Sequence, residues 1–185
     1  MRAGVLALQG DVAEHCRALA ACGATPLEVR SPSELEDIEA LVIPGGESTT
    51  MLKLIDRSEL REPLVKRIEA GLPTFGTCAG AIVLATRTSD GEPPLRVLEL
   101  SVRRNGYGRQ RDSFEAEIEL TGVGRVAGVF IRAPVFEEPG PGVEVLGTWA
   151  GRPVAVRTDH LLAIAFHPEL TGSLALHRYF LEEIA

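Results

Sequence analysis

Cysteine is scarce in this chain. Three occur in 185 residues, an odd number spread over Cys16, Cys22 and Cys78. That excludes a disulfide framework and leads to the expectation of a reducing, cytoplasmic setting. Cys16 and Cys22 lack a metal-like spacing, so no metal is expected, and both read as core or near-core. No basic block is present and the net charge is −7, which argues against nucleic acid or an anionic membrane as the main partner. No apolar run reaches bilayer-spanning length. The first residues lead directly into a strand-like run with no signal-peptide pattern. Internal repeats and low-complexity segments are absent.

What remains is an ordinary globular composition, 45% apolar and 24% charged, at a length that suits one domain with a sizeable core. Ala3 to Leu8 reads as a buried first strand. Asp11 is placed to cap a helix running to Cys22 and closed by Gly23, with Val12, Cys16 and Leu19 inward and His15 toward the functional edge of the sheet. Pro26 to Arg30 is a second strand. Ser31-Pro32-Ser33-Glu34 is a capping box opening a short helix. Leu41 to Ile43 is a third strand, with helices expected from Met51 and over Leu60 to Ala70. Strands alternating with helices through the first 85 residues imply a parallel α/β sheet covered on both faces. The second half reads as strands at Val97–Val102, Phe114–Leu120, Val129–Arg132, Val143–Leu146, Pro153–Arg157 and Leu161–Phe166. A final helix is expected from a Ser173 cap to Glu183. The architecture is therefore a mostly parallel sheet with added antiparallel strands.

The chemistry concentrates at Phe75-Gly76-Thr77-Cys78-Ala79-Gly80, where one apolar run enters and another leaves. Strand, sharp turn and helix form a nucleophile elbow, with sulfur replacing the usual serine oxygen. Gly76 and Gly80 remove Cβ atoms where the backbone must turn. The helix N-terminus favours thiolate at Cys78. Pro44-Gly45-Gly46-Glu47-Ser48-Thr49 invites a phosphate-loop reading. It lacks the second glycine and the lysine of that motif, and Glu47 would repel phosphate. The better reading gives the loop a backbone N–H at Gly46 which, with that of Ala79, forms an oxyanion hole.

A cysteine nucleophile needs a base and an orienter. His15 lies early on a helix, His160 in a turn, and His177 in the last helix at the surface or core edge. His167 instead ends an apolar strand, in Phe166-His167-Pro168-Glu169. Pro168 biases His167 toward extended backbone, and residues two apart on such a segment share a side. Glu169 is thus expected on one ring nitrogen, with Cys78 at the other.

Gly76-Thr77-Cys78-Ala79-Gly80 with His167-Pro168-Glu169 resembles the class I, triad-type glutamine amidotransferases. Six further segments narrow the resemblance to the glutaminase subunits of pyridoxal 5′-phosphate synthase. They are Leu8-Gln9-Gly10, Pro44 to Met51, Arg104-Asn105-x-x-Gly108-Arg109-Gln110, Ser113-Phe114-Glu115, Phe130 to Pro134, and Phe166 to Thr171. Tyr107 departs mildly from the phenylalanine expected there. The resemblance implies a flavodoxin-like three-layer sandwich and hydrolysis of L-glutamine to L-glutamate and ammonia through a γ-glutamyl thioester. Cys78, His167 and Glu169 would be catalytic. Glutamine would be bound by Gly46, Glu47, Ser48, Arg104, Ile131 and Arg132, with Arg104 and Arg132 toward its carboxylate and Glu47 toward its ammonium. It also implies a partner, a (β/α)8-barrel synthase subunit, in an assembly of twelve plus twelve. Pyridoxal phosphate would be the product of that complex; no cofactor is implied for this chain. Alternatives are a glutaminase serving another ammonia-channelling synthase, a cysteine peptidase or glyoxalase-like hydrolase on a related sheet, and an inactive docking scaffold.

Overall fold

A computed structural model describes residues 1–104, 106 and 113–185. Asn105, Tyr107, Gly108, Arg109 and Gln110 lie outside the described residues.

All but one of the apolar runs of the first half become strands buried on both faces; Thr25–Val29, at the edge of the sheet, is only partly covered. Strands β1 (Arg2–Leu6), β2 (Thr25–Val29), β3 (Ala40–Ile43), β4 (Thr74–Thr77) and β12 (Leu161–Ile164) run parallel. Every residue of β3, β4 and β12 is buried, as a parallel sheet covered by helices requires. Strands β11 (Arg152–Arg157) and β10 (Glu144–Trp149) extend the sheet antiparallel, giving the order β10-β11-β12-β4-β3-β1-β2. On one side α1 (Val12–Ala21) packs with α6 (Ala175–Glu183). Elsewhere α2 (Pro32–Glu36) packs with α4 (Arg61–Glu69), and α3 (Ser48–Arg57) with α5 (Ala79–Leu84). Right-handed crossovers place the second group on the opposite face.

Two small sheets complete the molecule. Strands β5 (Ala85–Thr88), β6 (Leu98–Arg103) and β9 (Val135–Pro139) form one; the hairpin β7 (Phe114–Leu120) with β8 (Gly124–Phe130) forms the other. β5 and β9 carry no alternation strong enough to be read from sequence. The strand expected at Val129–Arg132 is displaced: its ladder closes at Phe114 opposite Phe130, and Arg132 takes φ +45°, which no strand tolerates.

Helix α3 begins at Ser48, three residues before the expected Met51. The Glu47 carboxylate caps it, accepting from the backbone N–H groups of Thr49 at 3.1 Å and Thr50 at 2.7 Å. Asp11 makes no cap hydrogen bond to α1; its carboxylate is turned toward His167. The inward residues of α1 are His15, Ala18 and Leu19, with Cys16 and Val12 half-buried. His177 is fully buried. A polar residue beside Arg178 reads as surface, but α6 presents that position to α1.

Candidate active site

Brought together at the carboxyl edge of the parallel sheet are the segments that follow β1, β3, β4 and β12. With Arg104 after β6 and Ile131 and Arg132 after β8, they enclose a cavity of about 320 Å³ lined also by Gly46, Glu47, Ser48, Cys78, Ala79 and His167, together with Gln9, Asp11, Ile82 and Leu170. Strand carboxyl ends are where ligands bind in open α/β sheets.

Cys78 sits at the tip of the elbow with φ +49° and ψ −103°, and is 6% exposed. A non-glycine residue holds such a conformation only where its surroundings impose it. Here the N–H of Cys78 donates to the Ile164 carbonyl at 2.9 Å, fixing the turn to β12. A Cβ on Gly80 would drive into the Ile43 carbonyl. The elbow can therefore pack against β3 only with glycine at that position.

His167 continues from β12 in extended backbone, φ −110° and ψ 93°. Its N–H donates to the Val129 carbonyl at 2.9 Å, tying it to β8. Pro168–Leu170 forms a 3-10 turn rather than extended chain, and this turn carries Glu169 under the ring. Glu169 Oε1 lies 2.7 Å from His167 Nδ1. Asp11 Oδ2 lies 3.4 Å from the same nitrogen. Two carboxylates and the sulfur thus surround one imidazole. Burial opposes its protonation, but the hydrogen bonds to Asp11, Cys78 and Glu169 prevail, and its pKa is held well above the ordinary range. The same contact with His167 lowers the Asp11 pKa against the pull of burial. Burial raises that of Glu169, which His167 opposes.

The far end of the cavity is cationic and anionic in turn. Arg104 donates to Glu47 Oε1 at 3.1 Å and reaches Asp90 at 3.5 Å. Burial pushes the Glu47 pKa up, yet its bonds to Thr50 and Thr49 outweigh this and hold it at about 2. Gln9 Oε1 accepts the N–H of Glu47 at 2.8 Å, so the glycine loop is pinned from β1. Gly46, with φ +147°, lies against that same amide: a Cβ there would overlap the Gln9 side chain.

Every residue proposed from sequence for this site lines the cavity except Glu169, which stands behind His167 with its side chain closed to solvent. Sequence reasoning missed Asp11, which reads as a helix cap, and did not give His15 a contact. His15 lies against Glu169, its Nε2 3.6 Å from Oε2. His160 stays outside the cavity, half-buried in the turn before β12. Among the described residues, Asp11, His167 and Glu169 are also the one group close enough to hold a metal ion. The ring nitrogen concerned is already hydrogen-bonded to Glu169.

Residues 5–185 match the model of the SNO glutamine amidotransferase family. The chain belongs to that family. The "Pyridoxal 5′-phosphate synthase subunit PdxT" of Pelotomaculum thermopropionicum is 54% identical, over 99% of this chain and 95% of that protein. The protein of the same name from Geobacillus kaustophilus is 53% identical, over 100% and 95%. A solved structure described as a glutamine amidotransferase superposes with a TM-score of 0.94 at 51% identity, covering 98% of each chain. A glutamine amidotransferase from Thermotoga maritima shares the fold, with a TM-score of 0.66 at 15% identity, covering 98% of this chain and 81% of that one. The SNO family thus carries the class I glutamine amidotransferase fold, a mixed α/β architecture on a mostly parallel sheet.

Proposed function

We propose that the chain, a single glutaminase domain, hydrolyses L-glutamine to L-glutamate and ammonia, and supplies that ammonia to the synthase subunit of pyridoxal 5′-phosphate synthase. The observation that carries the reading is the meeting of Cys78 and His167, from two separate strand ends, in one cavity, with Glu169 behind the ring at 2.7 Å from His167 Nδ1. The names of the relatives support the partner, and family resemblance the barrel form and the twelve-plus-twelve stoichiometry. The reading places the reaction in the cytoplasm.

In this mechanism Cys78 attacks the side-chain amide carbon. His167 takes the thiol proton as the sulfur attacks, so the nucleophile is thiolate in character when the bond to carbon forms. The tetrahedral oxyanion is received by the backbone N–H groups of Gly46 and Ala79. His167 gives its proton to the departing ammonia, then activates the water that cleaves the γ-glutamyl thioester. Glu169 holds the ring throughout. At the other end of the substrate, Arg104 and Arg132 take the carboxylate and Glu47 the ammonium. Glu47 and Arg104 neutralise one another; glutamine, which carries both charges, exchanges partners with them.

The test is release of ¹⁵N-ammonia from amide-labelled glutamine, by the chain alone and with the synthase subunit. Release is expected to be slow alone and fast in the mixture, absent with asparagine, and abolished by Cys78→Ala while docking persists. Turnover by the Cys78→Ala variant would remove the assignment of the nucleophile. Full activity without a partner would remove that of the partner.

A further inference from the structure

Behind the triad lies a second line of polar groups in the closed core. His15 Nδ1 is 2.8 Å from His177 Nε2. On its other side, His15 Nε2 faces Thr77 Oγ1 at 3.3 Å and Glu169 Oε2 at 3.6 Å. His15 and His177 are both fully buried. Glu169 Oε2 has no hydrogen-bond partner among the described residues, and neither has His177 Nδ1. A carboxylate oxygen closed off from water requires a donor.

From this geometry, and resting on the triad reading above, we infer that His15 is a positioning residue for catalysis: its Nε2–H faces Glu169 Oε2 and fixes the carboxylate that holds His167, while His177 sets the His15 tautomer. The alternative proton placement fails on the same atoms. With the proton on His15 Nδ1, that N–H would point at His177 Nε2 and force the His177 proton onto Nδ1. A buried donor would then have no acceptor, and although the Thr77 hydroxyl could donate to His15 Nε2, Glu169 Oε2 would face a lone pair and no donor. With His177 donating from Nε2, His15 accepts at Nδ1 and its Nε2–H lies between Thr77 Oγ1 and Glu169 Oε2, so that His177 Nδ1 is the one acceptor with no donor facing it. An unfilled acceptor is the milder of the two defects. Burial keeps both rings neutral, lowering the His15 pKa to about 3, reinforced by His177, and that of His177 to about 4, as single-proton tautomers require. The line Cys78, His167, Glu169, His15, His177 therefore ties the site to α1 and α6 across the sheet.

The test measures glutaminase kinetics in the complex with the synthase subunit, for wild type, His15→Phe, His15→Gln and Cys78→Ala. His15→Phe should lower kcat roughly ten- to a hundred-fold, the usual loss when a partner orienting a functional group is removed, with KM within about twofold. His15→Gln keeps a side-chain N–H at similar reach and should restore most of kcat. Equal impairment by Phe and Gln, or kcat within about twofold in His15→Phe, would overturn the inference. Where His15→Phe fails to fold, ¹⁵N spectra of histidine-labelled wild type decide. His15 protonated at Nε2 and bare at Nδ1 supports the inference, and the reverse overturns it. Turnover by Cys78→Ala would instead condemn the triad reading itself, whatever the His15 variants do.

Discussion

At the residue scale the imidazole of His167 answers to Asp11 as well as to Glu169. A carboxylate beside a ring nitrogen favours the charged ring, by roughly one to three pKa units for a close pair. Asp11→Asn should therefore lower the pKa of His167 by about one unit or more, read from the pH titration of its ring protons by NMR. An unmoved midpoint would show that Glu169 and Cys78 alone set the ring's basicity. Why Asp11 escaped the sequence is physical. An aspartate before a helix is the ordinary capping residue, and the same short carboxylate serves an imidazole equally well. Only the fold shows which donor it faces. His15 is a similar case: its helix was legible, whereas the depth at which α1 buries it under Glu169 depends on the 3-10 turn at Pro168–Leu170. By contrast, Cys78, His167 and Glu169 were legible because glycine spacing, a strand end and a proline each constrain the backbone locally.

The elbow and its supports belong to the scale of elements. Gly80→Ala must move β3 or α5, since the added Cβ strikes the Ile43 backbone. We expect a loss of roughly 3 kcal/mol or more, or failure to fold, by thermal or urea unfolding. Gly71→Ala is the control: with φ +96° but nothing within 4 Å, it should cost only about 1–2 kcal/mol. A loss at Gly80 no larger than that at Gly71 would mean that the elbow admits a Cβ without displacing β3. The parallel half of the sheet was readable because each buried strand is a short apolar run bounded by turn residues. The small sheets were harder. β9 carries two consecutive glutamates and ends in a proline, and β5 follows α5 without a turn, so neither shows the punctuation on which a strand assignment rests. The start of α3 was missed because Glu47, assigned to the substrate, is also the cap of its helix.

For the whole molecule, the buried histidines set a pH dependence of stability. His15 and His177 have folded pKa values lowered by burial to about 3 and about 4, against 6.5 for a free ring. Below about pH 6.5 the unfolded chain takes up two protons that the folded chain refuses. Each costs roughly 1.4 kcal/mol per pH unit, so stability falls as pH drops from 6.5 toward 4. The raised pKa of Glu169 works against this fall on the acid side, since the folded chain takes up that proton more readily than the unfolded one. The raised pKa of His167 acts in the other direction, its contribution fading as pH rises above 6.5 through the folded value. Urea midpoints at pH 6.5, 5.5 and 4.5 test the acid side. His177→Phe should reduce the slope by about half, and an unchanged slope would show that His177 is not refused its proton by the fold.

The place of β12 in the sheet bears on how the protein is made. It is the last strand in the chain, yet it pairs with β4 between the earlier parallel strands and the antiparallel pair β11 and β10. The elbow is synthesised before residue 80 and its imidazole not until residue 167. A growing polypeptide on the ribosome therefore carries a thiol with no base beside it, and ammonia release can begin only after almost the entire chain has emerged and β12 has closed against β4.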